Sequence, residues 1–262
     1  MVKKLQKWYI WLILTFFYAP VAVLMVYSFN GSRSNRLWGG FSLRWYIRLF
    51  SDRDILNALY YTLICAAAAA VISTVIGTIS AIGIHAMGDR TKAAVLNVNY
   101  LPVINPDIVT GITLMLVFSS FSSKFGFATM LISHITFCIP YVILSVLPKL
   151  KQMDKNLIEA AMDLGAAPLT AVRKIIIPEI KPGIMTGAML AFTLSIDDFV
   201  ISFFNTGSGV SNLSIYIYAA ARKGISPEVN ALSTIMILTV TIFLFIINLR
   251  ANRQTSPMRG DI

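Results

Sequence analysis

Glu159-Ala160-Ala161-Met162-Asp163-Leu164-Gly165, followed after nine residues by Ile175-Ile176-Ile177-Pro178, decides how this chain is read. The stretch is polar and charged, and it lies between two long apolar runs. Asp154 is placed to cap a helix that runs through Leu164. Gly165 suits the end of that helix, where the chain must turn with positive φ. Pro168 fits the first turn of a second helix, expected to end at Pro178 and Pro182. A helix–turn–helix over residues 149–183 follows. Ala160 and Ala161 carry almost no side chain, which allows another protein surface to approach closely. Glu159 and Asp163 share a helical face at i, i+4 and repel mildly unless a partner supplies cations.

The surrounding chain is that of a membrane protein. It has 262 residues, 56% hydrophobic and only 13% charged, against roughly 25% charged in a soluble domain. Apolar runs recur at lengths that cross about 30 Å of hydrocarbon. A β-barrel would instead give short alternating segments. The fold class is therefore all-α integral membrane, with six transmembrane helices expected at Trp8–Phe29, Leu59–Met87, Ile104–Phe121, Phe127–Leu147, Ile184–Phe204 and Leu232–Leu249. The first run follows Lys3, Lys4 and Lys7 but is too long for a signal peptide and has no small-residue cleavage site after it. One membrane domain over 1–262 is expected, with its N-terminal span at 8–29, core spans over 59–249 and a loop at about 149–183.

Basic residues set the orientation. They concentrate at the N-terminus, in the second loop (Arg90, Lys92), in the fourth loop (Lys149, Lys151, Lys155, Arg173, Lys174, Lys181) and in the tail (Arg250, Arg253, Arg259). These outnumber Arg33, Arg36, Arg44, Arg48, Arg53, Lys124, Arg222 and Lys223 on the opposite side. The positive-inside rule then places both termini and the Glu159 loop in the cytoplasm. The net charge of +10 is accounted for by topology and lipid headgroup contacts, and no nucleic-acid partner is expected. Cys65 and Cys138 read as packing residues. His85 and His134 read as hydrogen-bonded helix residues, so no metal site is expected. No G-x-x-x-x-G-K-[ST] sequence is present. No paired nucleophile and base is visible, and the chain is not expected to be an enzyme.

Three carboxylates fall in or beside apolar runs: Asp107, Asp197 and Asp198. Each costs roughly 2.5–3.5 kcal/mol at the centre of a span, so each needs a cavity or a partner. Adjacent helical residues point about 100° apart. Asp197 and Asp198 therefore cannot both face one passage unless the helix breaks there. One is free to meet cargo while the other pairs with a neighbouring helix or subunit. At about 1.5 Å per residue from Gly183, Asp197 lies ~21 Å into its span. Asp107 follows Asn105 and Pro106, which read as a helix cap and first turn. Carboxylates lining a wet passage favour cationic cargo, and Tyr100 and Tyr141 are candidate wall residues by cation–π contact.

Other segments have simpler readings. Ser42–Phe50 suits a short helix lying at the membrane interface. Leu213–Ala221 is too short to span and reads as a re-entrant or surface helix. Ser226-Pro227-Glu228 reads as a helix start. The small residues from Ala66 to Gly83 suit close helix packing.

The quoted pattern resembles the EAA loop of permease subunits from ABC importers, with Ile177 where that pattern has Leu. The resemblance narrows to permeases of the spermidine/putrescine type through Asn105–Val109, Ser133–Cys138, Thr193–Asp198 and Ser226–Leu232. It implies a type I ABC importer (MetI-like) fold and a bacterial inner-membrane location. It implies a second permease subunit completing a heterodimer, two copies of an ATPase subunit, and an extracytoplasmic polyamine-binding protein. No cofactor is implied on this chain; ATP and Mg would be bound by the ATPase. Glu159, Ala160, Ala161, Asp163, Gly165 and Pro178 would then couple to the ATPase, and Asp197, Asp198 and Asp107 would line the polyamine path. An importer of another organic cation or small nutrient, and a cation channel using the same acids, are the rival readings.

Overall fold

The computed structural model describes residues 2–33, 37–154, 156–163, 165–222 and 227–255, and the side chains of these except 2–5, 158–160, 243–244 and 246–255. The described chain is helical, with one isolated bridge between Asn30 and Phe41. The helices are α1 (Val2–Tyr27), α2 (Arg44–Leu49), α3 (Arg53–Ala86), α4 (Asp89–Ile104), α5 (Asp107–Ser120), α6 (Phe127–Gln152), α7 (Asn156–Asp163), α8 (Pro168–Ala171), α9 (Ile177–Asp197), α10 (Val200–Asn205), α11 (Leu213–Arg222) and α12 (Pro227–Thr255). A π turn, Val172–Ile176, joins α8 to α9. Backbone contacts group the chain into two compact units, Met1–Asn57 with Tyr216–Ile262, and Ala58–Ile215.

Among the described residues, four segments are long and apolar enough to cross a membrane: Gln6–Tyr27, Arg53–Ala86, Phe127–Gln152 and Pro168–Asp197. The pair α4–α5 adds a fifth if it is taken as one broken span. The sixth expected span falls within α12, whose described apolar stretch is Pro227–Ile242. Two expected boundaries need correction. The run Ile104–Phe121 is not one straight span, because α4 and α5 meet at an angle of 106°. Pro106 is the cause: it biases the preceding residue to extended backbone, and Asn105 has φ −71 and ψ 144. Asn105 does not cap α5; Pro106 itself holds the N-cap position, with no side-chain cap bond. The run Ile184–Phe204 also breaks, at Asp198.

The core of the larger unit is the α6–α9 contact, made close by glycine. A Cβ on Gly183 would lie 3.0 Å from the Ser145 carbonyl oxygen, and one on Gly187 would lie 3.2 Å from Val142 Cα. From the other side Gly77 of α3 presses on the same residue, where a Cβ would come within 2.7 Å of Val142 Cβ. Lipid gives helices no hydrophobic reason to associate, so the close van der Waals packing that these small residues permit helps hold the pair. Val142 is fully buried between the two glycines. Near α11, the Leu213 amide donates to the Thr62 hydroxyl of α3 at 2.7 Å.

Gly187→Leu is expected to destabilise the purified protein by about 1–3 kcal/mol through overpacking, read as a lower thermal midpoint. Gly83→Ala is the control, since nothing lies within 4 Å of a Cβ there; its midpoint should hold or rise.

Candidate functional site

Helix α9 stops at Asp197 because Asp198 turns to extended backbone, with φ −61 and ψ 125. The Asp198 carboxylate then caps the start of α10. One oxygen accepts from the Ile201 amide at 3.1 Å. The other accepts from the Ser202 amide at 2.7 Å and the Ser202 hydroxyl at 2.8 Å. Amides at a helix start lack intrahelical acceptors, and a carboxylate there meets the positive end of the helix.

His134 of α6 closes this arrangement. Its Nδ1 lies 2.6 Å from the Ser195 hydroxyl and its Nε2 lies 2.8 Å from the Ser202 hydroxyl. Nε2 is also 3.4 Å from the Asp198 carboxylate. Donor counting assigns the tautomer. The single Ser202 hydroxyl proton goes to Asp198, so that oxygen must accept from its other neighbours. Those are His134 Nε2 and Asn212 Nδ2, the latter at 2.7 Å. Nε2 therefore carries the ring proton, and Nδ1 accepts from Ser195. Asn212 donates its second proton to the Asp198 carbonyl at 3.1 Å and accepts from the Ile215 amide at 2.9 Å. A neutral imidazole satisfies every bond. One turn on, Asn205 donates to the Gly111 carbonyl of α5 at 3.1 Å, and Thr129 of α6 donates to the Asn205 carbonyl at 2.7 Å. Side chains from α6, α9 and α10, with the Gly111 carbonyl of α5, thus lock the break.

The two adjacent acids are separated by this geometry. The Asp198 side chain is 7% exposed, while Asp197 is an exposed residue. The Asp197 backbone is held by the Ser214 hydroxyl, which donates to its carbonyl at 3.2 Å. Asp107 is also exposed, in the first turn of α5, and lies within electrostatic range of Asp197. Half-buried Tyr141 of α6 lies within the same range of Asp107. Both exposed acids therefore sit at helix breaks. Tyr100 is exposed on α4.

In the loop, Asp154 accepts from the Asn156 amide at 3.0 Å and so starts α7. Gly165 has φ +85. Its amide donates to the Met162 carbonyl at 2.9 Å, and that of Ala166 to the Ala161 carbonyl at 3.0 Å. That pair of bonds is a Schellman ending, which favours glycine at this position. Pro168 opens α8 after Ala167 with φ −63 and ψ 147. Glu159 and Ala160 belong to α7, with side chains outside those described; Ala161 is half-buried and Asp163 exposed. The expected helix end at Pro178 is wrong. The Ile177 amide reaches back five residues to the Val172 carbonyl, and this wider turn takes Pro178, which lacks an amide proton, without a break. One helical rod therefore runs from Pro168 to Asp197. Pro178 is exposed on it.

No cluster of potential metal ligands occurs among the described residues. The sequence reading passed over Ser202, Asn205 and Asn212. Ser195, Asp198, Ser202 and Asn205 repeat at helical spacing, and that polar stripe in an apolar run was the available signal. Ser226 and Lys223, read as parts of a helix start and an outer loop, lie outside the described residues.

A profile of the family described as binding-protein-dependent transport system inner membrane component matches residues 73–255. The spermidine/putrescine transport system permease protein PotC of Escherichia coli (strain K12) is 38% identical over 250 residues, 95% of each chain. The putrescine transport system permease protein PotI of the same strain is 38% identical over 239 residues, 88% of this chain and 85% of the relative. Among solved structures, a bacterial ABC transporter involved in the import of the acidic polysaccharide alginate gives a TM-score of 0.75 at 14% identity, covering 97% of this chain and 96% of that one. The MetNI methionine ABC transporter gives 0.60 at 20% identity, covering 76% and 93%. The chain belongs to the binding-protein-dependent transport permease family and has the type I ABC importer fold. It is a multi-pass inner-membrane transport component.

His134→Ala leaves the Ser195 and Ser202 hydroxyls short of a buried partner. Ser202 keeps Asp198 and Asn212, but the Ser195 hydroxyl loses its imidazole acceptor at a cost of about 1–3 kcal/mol, so the thermal midpoint of the purified complex should fall clearly. His134→Gln should recover part of the loss.

Proposed function

We propose that this chain is a membrane permease subunit of an ATP-driven importer that moves polyamines of the spermidine/putrescine class into the cytoplasm. The observation that carries the cargo reading is the pair of exposed carboxylates, Asp107 and Asp197, set at two helix breaks. Fold alone does not choose cargo: the same fold serves the alginate and methionine transporters. The likeness to PotC and PotI supports polyamines within the class of organic cations.

In this reading residues 1–262 act as one permease domain with both termini in the cytoplasm. A second permease subunit completes a heterodimeric pore, and an extracytoplasmic binding protein delivers the polyamine. Two ATPase subunits bind ATP and Mg; this chain holds no cofactor. The ATPase docks on Glu159, Ala160, Ala161, Asp163 and Gly165. Closure of the ATPase dimer shifts α7, and α7 packs against α8 and the π turn. The rod from Pro168 through Pro178 carries that shift to Asp197. The spans rock between outward- and inward-open states. Asp197 and Asp107 offer paired negative charge to ammonium groups, and Tyr141 adds a cation–π face. Asp198 acts indirectly, by holding the break that aims Asp197.

Spermidine uptake by the complex reconstituted in liposomes tests this. Asp197→Asn is expected to cut uptake about tenfold, the equivalent of ~1.4 kcal/mol of lost interaction, with an unchanged thermal midpoint. Unchanged uptake would reject the cargo site. Gly165→Glu forces a side chain into left-handed backbone at a cost of about 1–2 kcal/mol, and should leave ATP turnover running without matching transport. Co-purification separates the importer from a channel built on the same acids, since only the importer brings an ATPase with it.

A further inference from the structure

Between α1 and α3, the described residues 28–33 and 37–52 form a hydrogen-bonded platform that exposes large apolar side chains. Asn30 is fully buried and organises it. Its Nδ2 donates to the Leu37 carbonyl at 2.8 Å. Its Oδ1 accepts from the amides of Ser32 at 3.1 Å and Gly39 at 2.7 Å. The Trp45 indole donates to the Asn30 carbonyl at 2.6 Å. Two backbone bonds, Gly31 to Gly40 and Ser42 to Phe29, both 2.8 Å, close the segment. Tyr46 of α2 meets the Ser28 hydroxyl at 2.6 Å. A segment tied this firmly nonetheless leaves Trp38, Phe41, Ile47 and Phe50 between 52% and 71% exposed. Phe29 stacks on Phe41 at 5.2 Å, stiffening the same face.

Large apolar side chains held rigidly outward mark a surface that is covered in use. The covering layer is constrained by connectivity. Both ends of the platform continue into membrane-crossing helices, α1 ending at Tyr27 and α3 starting at Arg53. The platform is thereby held at the level where those helices leave the bilayer. Exposed Arg33, Arg44 and Arg53 accompany the apolar residues. The Arg44 guanidinium lies 5.6 Å from the Trp45 ring centroid. Arginine among aromatics on a short amphipathic helix matches the chemistry of the lipid headgroup zone, where rings sit at the boundary and cations meet phosphate.

We propose that this platform docks on the outer-leaflet phospholipid interface, with Trp38, Phe41, Ile47 and Phe50 inserted at the headgroup–acyl boundary and the arginines on phosphates. It anchors the outer ends of α1 and α3 at fixed depth. The inference is independent of the cargo reading and rests on the proposed topology only for the choice of leaflet.

The full importer complex is reconstituted in vesicles of phosphatidylethanolamine and phosphatidylglycerol, with a bimane fluorophore on Ile47→Cys and, separately, on Phe50→Cys. Cys65 and Cys138 are buried and do not compete for the label. A phospholipid with a doxyl group near its headgroup should quench both labels, while iodide in the buffer should not. Quenching by iodide would place the face in water. Quenching by neither would mean that another protein chain covers it. Either result overturns the proposal. Both substituted side chains are exposed, so a folding failure at one leaves the other as an independent reading.

Discussion

The Asp198 carboxylate holds open one of the two breaks on which the candidate site depends. It spends its acceptors on two amides and a hydroxyl of the segment that follows. His134 and Asn212 complete the same network. An acid in an apolar span is costly; here the cost is met by a helix start and by fully paired neighbours. The consequence is directional. With the chain turned at Asp198, Asp197 ends a helix as an exposed residue, and Asp107 is exposed in the first turn after the break at Pro106. Two acids next to each other in sequence thus have opposite surroundings, one buried in a hydrogen-bond network and one exposed.

That break is one end of a rod whose other end is the loop proposed to meet the ATPase. From Pro168 to Asp197 the helix is uninterrupted, because the π turn absorbs Pro178. At 1.5 Å per residue the rod is roughly 45 Å long. Gly183 and Gly187 seat its middle directly on the α6 backbone, where His134 also resides. The rod is therefore clamped against α6 at its centre and at the Asp198 end, with the loop end at Gly165 left exposed. In the proposed coupling, a displacement applied at the loop reaches the exposed acid along this rod, with the glycine contact as its pivot.

Much of the loop was legible in the sequence, because its signals are local. Gly165 and Pro168 act through their own φ angles, and Asp154 acts two residues away. The all-α membrane class followed equally directly from apolar run lengths. Pro178 was misread because the residue alone does not reveal a π turn that accommodates it. The extent of the Ile104–Phe121 span was misread although Pro106 was in plain view; a proline marks where a helix breaks, not the 106° at which the next one leaves. The division of labour between Asp197 and Asp198 lay out of reach. It is imposed by His134, more than sixty residues away, and by an asparagine beyond the span. The polar stripe through Ser195, Ser202 and Asn205 hinted at it.

Thiol accessibility tests the central claim, that Asp197 faces the passage and Asp198 does not. Asp197→Cys and Asp198→Cys are placed singly in the complete importer and exposed in membranes to a water-soluble thiol reagent, with and without spermidine. The account predicts that the thiol at 197 reacts and is protected by spermidine, while the thiol at 198 does not react. A thiol at 197 that stays unreactive, or reacts equally with and without spermidine, would contradict it.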